Sequence, residues 1–91
     1  MADKYASLYD AFLKLKTPDE TERFLKDLCT PSELRDLKER WLAAQMLSRG
    51  ASYRAVNEST GISTATVGRV ARFLNDEEYQ GYQLILGRLK K

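Results

Sequence analysis

Helix-start signals recur along this chain so closely that only a set of short, packed helices can follow. Thr17-Pro18-Asp19-Glu20 and Thr30-Pro31-Ser32-Glu33 each join a capping hydroxyl, a proline suited to the first helical position and an acid able to return to the cap. Ser52 and Ser63 offer caps to two later segments, and Asn75-Asp76-Glu77-Glu78 offers one to a last. Apolar residues between these signals recur at steps of three and four. Tyr5, Leu8, Tyr9, Phe12 and Leu15 form the first stripe, and Phe24, Leu25 and Leu28 the second. Leu34, Leu37, Trp41, Ala44 and Leu47 form a third, widened by Leu42 and Met46 and ended by Arg49-Gly50. Helices are then expected from Tyr53 to about Ser59, from Thr64 to about Leu74, and through Tyr79, Tyr82, Ile85, Leu86 and Leu89. The fold class expected is all-α, with about six helices.

A chain of 91 residues has room for one domain, 1–91. At 43% hydrophobic it folds, but around a small core. The stripes on the first and third helices are wider than one such chain can cover. They point to a homodimer, with interleaved helices as one form and a compact six-helix monomer as the competing one. Trp41 is expected in the core, and the tyrosines Tyr5, Tyr9, Tyr79 and Tyr82 in dimer or core contacts.

Absences narrow the function classes. There is no histidine and one cysteine, Cys29, so neither an intramolecular disulfide nor an ordinary zinc site can form. No metal and no cofactor is expected. With no histidine to move protons near neutral pH and no catalytic spacing among the carboxylates and lysines, the chain is not expected to be an enzyme. A lone thiol suits a reducing compartment, and here reads as a small core side chain. The first residues do not resemble a signal peptide, and no stretch approaches the ~20 apolar residues of a membrane helix. A cytoplasmic protein with no membrane partner is expected.

The formal charge of +2 decides little, but its distribution is uneven. Residues 49–73 hold Arg49, Arg54, Arg69 and Arg72 against one acid, Glu58. That local excess suits a phosphate-facing surface, and suits an ordinary solvated face as well. The same stretch carries a helix-turn-helix pattern over about 52–74: a short helix, Gly61 for the turn, and a second helix capped by Ser63. Val56, Ile62 and Val67 are expected to pack the two helices together. Thr64, Ala65, Thr66 and Gly68 are small or hydroxylated, which lets a helix enter a major groove closely. The first-turn amides after Ser63 can meet a phosphate. Asn57 departs from the small alanine usual four positions before the turn glycine.

Three segments carry a resemblance: Leu28-Cys29-Thr30-Pro31-Ser32-Glu33-Leu34, Leu47-Ser48-Arg49-Gly50-Ala51-Ser52-Tyr53-Arg54 and Ala65-Thr66-Val67-Gly68-Arg69. In them the chain resembles the tryptophan repressor family, in particular its YerC/YecD branch, from about Leu28 to Leu89. Asn57 then fits, since the repressor is polar there. The resemblance implies an intertwined all-α homodimer with two reading heads, and DNA as the partner. It places Arg54 at an arginine that reaches a base, and Thr64, Ala65 and Gly68 at groove-facing positions. Ser63, Thr66, Arg72 and Arg49 are expected at phosphates, and Tyr53 can reach one through its hydroxyl. Two heads in successive major grooves ~34 Å apart imply a near-palindromic operator.

The resemblance also implies an effector pocket. Arg40 and Arg69 match the two arginines that sandwich the repressor's indole, and Thr30 matches a threonine on the rim. Val70 stands where the repressor has glycine, and Phe73 where it has serine. Both add bulk, so tryptophan is not expected to bind in the repressor's manner. Arg40 and Arg69 suit another planar or anionic ligand, or else simply pair with acids such as Glu39 or Glu58. The leading expectation is a sequence-specific transcriptional regulator. The alternatives are a protein-interaction or structural dimer that keeps the scaffold without reading DNA, and a switch gated by a small anion.

Overall fold

A computed structural model of the chain describes residues 4–90. A 3₁₀ turn over Lys4–Ala6 leads into α1 (Ser7–Leu13), followed by α2 (Pro18–Leu28), α3 (Pro31–Ser48), α4 (Tyr53–Thr60), α5 (Thr64–Asn75) and α6 (Gly81–Leu89). No strand occurs among the described residues, so the all-α expectation with six α-helices holds. The chain divides into two compact units, one ending at Arg35 and the other beginning at Asp36.

The N-terminal unit is built by its caps. Thr17 Oγ1 accepts from the Glu20 N–H at 3.1 Å, with Pro18 in the first turn of α2. The Glu20 carboxylate does not return to Thr17 but accepts from the Lys16 N–H, at 2.9 Å. At α3 the box closes fully. Thr30 Oγ1 accepts from the Glu33 N–H at 3.2 Å, and Glu33 Oε1 accepts from the Thr30 N–H at 2.8 Å. Phe12 meets Phe24 edge-on, with ring centroids 5.5 Å apart. The first stripe is interrupted, because the chain tightens after Leu13: the Lys14 and Leu15 amides bond to Ala11 and Phe12 carbonyls. Leu28, expected to face inward, is half exposed.

The second unit holds a core of Ala43, Ala44, Val56, Ile62, Val67 and Val70, with Trp41, Met46, Leu47, Ala51 and Tyr82 packed around it. The two alanines bring α3 into this cluster beside side chains from α4 and α5. Trp41 stacks on Tyr82 at 6.3 Å between centroids, which bears out its packing role. Leu86 closes the core from α6. Gly50, at φ +95°, ends α3 in a left-handed turn. The Gly50 N–H bonds to the Leu47 carbonyl at 3.0 Å and the Ala51 N–H to Met46 at 3.1 Å, the pairing of a Schellman motif.

The last helix begins later than expected. Asn75–Glu78 does not cap it. Asn75 Nδ2 donates back to the Ala71 carbonyl at 2.9 Å, and Asp76 Oδ1 accepts from the Glu78 N–H at 2.9 Å. These local bonds compete with helix initiation. α6 starts only after Gln80, a left-handed residue at φ 57° with no side-chain cap. Tyr79 therefore lies outside the helix and is exposed, not in the core.

Candidate nucleic-acid interface and adjoining cleft

α4 and α5 form the expected helix pair, and their connection is cross-linked at every step. Ser52 Oγ accepts from the Ala55 N–H at 3.0 Å to start α4. Gly61, at φ +79°, ends it, donating its N–H to the Asn57 carbonyl at 2.9 Å. The Thr60 hydroxyl donates to the Val56 carbonyl at 2.6 Å and accepts from the Ile62 N–H at 3.1 Å. Asn57 Nδ2 donates to the Ile62 carbonyl at 2.8 Å. Ser63 Oγ accepts from the Thr66 N–H at 3.2 Å and starts α5. Val56, Ile62 and Val67, each almost fully buried, pin the two helices against α3.

This frame leaves one end of α5 open. Ser63, Thr64 and Ala65 are exposed, and Thr66 and Gly68 are partly so. Nothing lies within 4 Å of where a Gly68 side chain would project. The regular ladder of α5 begins with Val67 N–H on the Ser63 carbonyl at 3.0 Å. The amides ahead of it lie in the first turn, where the helix dipole favours negative charge. Cations stand around this end in different states. Arg54 Nε contacts Glu58 Oε1 at 2.8 Å, with both side chains well exposed. Arg69 stands over the Phe73 ring at 5.0 Å and Arg72 over it at 6.0 Å. Arg49 and Tyr53 are open to solvent.

A cleft of about 330 Å³ opens beside α5, lined by Arg40, Arg69, Val70 and Phe73, by Asp76, Tyr79 and Gln80 of the α5–α6 connection, and by Gly81 and Tyr82 at the start of α6. Four of the expected pocket residues thus meet here. Thr30 belongs to the N-terminal unit and spends its amide and hydroxyl on Glu33. Val70 turns into the core, at 1% exposure, so its bulk goes there. The pairing of Arg40 or Arg69 with Glu39 or Glu58 is not made. Among the described residues the ion pairs are Lys26–Glu22 and Arg54–Glu58. Asp76, Tyr79 and Gln80 were missed as lining residues, because the pattern places them in a helix start and not in a turn folded over α5.

Known proteins share this fold. The Trp repressor protein family matches residues 3–90. The chain belongs to that family. Among Trp repressor relatives, the uncharacterized protein YerC of Bacillus subtilis (strain 168) is 40% identical over 84 residues, 92% of this chain and 80% of that protein. A crystal structure of a TrpR-like protein from Eubacterium eligens ATCC 27750 is 41% identical, with a TM-score of 0.83 over 91% of this chain and 84% of that one. A proposed Trp repressor from Staphylococcus aureus is 35% identical, with a TM-score of 0.88 over 98% of this chain and 88% of that one. Among the described residues no helix is long and apolar enough to cross a membrane.

Proposed function

We propose that this chain is a sequence-specific DNA-binding transcriptional regulator that acts as a homodimer, by binding and not by catalysis. One observation carries the reading: the first turn of α5 is open, with Ser63, Thr64 and Ala65 exposed while Val67, Val70 and Ala71 on the same helix are buried. A helix anchored along one side and free at its N-terminal end can be laid into a major groove. Arg54, Thr64, Ala65 and Gly68 read bases in this proposal. Ser63, Thr66, Arg72 and Arg49 meet phosphates. Membership of the Trp repressor family supports the same assignment.

Salt-dependent gel shifts with duplexes selected from a random-sequence pool test it. A retarded complex is expected whose affinity falls as salt rises, with Arg54→Ala weakening it about five- to a hundredfold. No complex at ~50 mM salt, where phosphate contacts are strong, overturns the proposal.

The cleft favours a second, compatible reading, that a small planar anion gates the heads. Arg40 and Arg69 line one space with Phe73, Tyr79 and Tyr82; Asp76 lines it too, but forms no ion pair with either guanidinium. A thermal-shift screen of small aromatic acids tests it, and an unchanged midpoint throughout removes it.

A further inference from the structure

We infer that Gly68 is a specificity-determining residue through the side chain it lacks: it lets DNA come up to the backbone of α5, and so sets how deep that helix enters the groove. The inference rests on the reading of α4 and α5 as a DNA-binding head. Gly68 is the fifth of the 12 residues of α5, so it stands in a helix interior, where glycine weakens a helix relative to alanine. Two reasons internal to the chain could account for it, and neither applies. The left-handed glycines are Gly50 and Gly61, whereas Gly68 keeps the backbone of the helix around it. A side chain at Gly68 would meet nothing within 4 Å, so no neighbouring element needs the room. Gly81 and Gly87 also have open space, but they lie in the first and last turns of α6 and not in a helix interior.

Its position supplies an external reason. Thr64 and Ala65 stand one turn before Gly68 on the same side of α5, and Arg72 stands one turn after it. All three are exposed, while Val67, Val70, Ala71 and Leu74 make the buried side of the helix. Gly68 is thus a low point between the residues that would touch DNA. A helix with its side chains is about 10–12 Å across, and a major groove is about 12 Å wide. A missing side chain at the point of nearest approach therefore changes how far the helix can sink. Hydrogen bonds to base edges hold over only a few tenths of an ångström, so a methyl group that lifts α5 by about 1 Å breaks them. Attraction to phosphates falls off far more gently with distance, and binding that rests on it is little changed.

The test replaces Gly68 by alanine and by leucine, both better helix formers. It compares thermal unfolding with affinity for a duplex selected by the wild-type protein and for a scrambled duplex of equal length and composition. Gly68→Ala is expected to raise the melting temperature by about 2–8 °C. The same variant is expected to bind the selected duplex about five- to a hundredfold more weakly, the loss of base contacts, and Gly68→Leu more weakly still. Binding of Gly68→Ala to the scrambled duplex should change less than about twofold. A lowered melting temperature for Gly68→Ala would mean that the fold itself needs the glycine. Unchanged affinity for the selected duplex would mean that DNA does not come close at Gly68, and equal losses on both duplexes would mean a general defect in binding. Each of these results overturns the inference while leaving the DNA-binding reading intact. If the wild-type protein binds neither duplex, the head reading fails and this inference with it.

Discussion

Asn57 reaches across the turn between α4 and α5, its Nδ2 donating to the Ile62 carbonyl at 2.8 Å. Ile62 is buried at 2% exposure, and the bond to its carbonyl is itself part-buried. The amide thus does structural work that a small residue could not. Asn57→Ala is expected to cost about 1–2 kcal/mol, since it strands a part-buried acceptor. Urea unfolding monitored by circular dichroism measures this. An unchanged midpoint would mean that water replaces the amide without loss.

Gly61 sits at φ +79°, with nothing within 4 Å of where a Cβ would go. The space is open, so the cost of a side chain is conformational alone. Gly61→Ala should destabilise by about 1–2 kcal/mol, and Gly61→Asn by less, because asparagine tolerates the left-handed region. Both variants should keep full helicity by circular dichroism.

Glu33 titrates low. The Thr30 backbone N–H, and then the Thr30 hydroxyl, hold its carboxyl below the ordinary value of 4.5. A depressed carboxylate stabilises the fold above its unfolded pKa, and the contribution is lost as pH falls through the folded one. The start of α3 should therefore loosen on acidification below about pH 4.5 and be indifferent above it. Carbon-detected NMR of the Glu33 carboxyl should give a midpoint below that of a free peptide, and Thr30→Ala should raise it. A midpoint at the free value in the wild-type protein would refute the box.

Much of this fold is legible because its signals are local. Thr17, Thr30, Ser52 and Ser63 cap helices through their own side chains, and Gly50 and Gly61 turn the chain where only left-handed backbone serves. The pattern also found Val56, Ile62 and Val67, all buried. It could not tell which of several apolar faces meets the chain's own core. Ala43 and Ala44 are fully buried, while the larger Leu37 and Leu42 on the same helix are exposed. Asn75 and Asp76 misled for a related reason: their side chains suit helix caps and tight turns equally, and the choice depends on what α5 offers behind them. With the turn misplaced, Asp76, Tyr79 and Gln80 could not be foreseen in the cleft wall.

Tryptophan should not bind the cleft in the repressor's manner. Phe73 lies beneath Arg69 at 5.0 Å, so its ring occupies one face of that guanidinium and takes space that a bulky indole would need. Saturating tryptophan is expected to leave the melting temperature unchanged, whereas any ligand at about a hundredfold its Kd would add ~2.7 kcal/mol and raise it by several degrees. Phe73→Ser uncovers the guanidinium, and on that variant a tryptophan-induced shift should appear. A shift in the wild-type protein would show that the ring gives way.

The apolar faces left open in the single chain predict where a second copy docks. In the N-terminal unit Leu13 is 81% and Tyr9 70% exposed, on a helix of seven residues that cannot be stable in water alone. Leu37 and Leu42 add further uncovered area from α3. Burying a side chain of this size contributes about 1.5–3 kcal/mol, so a handful of them from each of two chains outweighs the entropy of pairing only if they are removed from water together. Leu13→Glu places a charge on the uncovered side of α1 and leaves the α4–α5 sequence unchanged. Sedimentation velocity should report a dimer for the wild-type protein and a weakened dimer or a monomer for the variant. The dimer proposal fails if the wild-type chain sediments as a monomer at micromolar concentration.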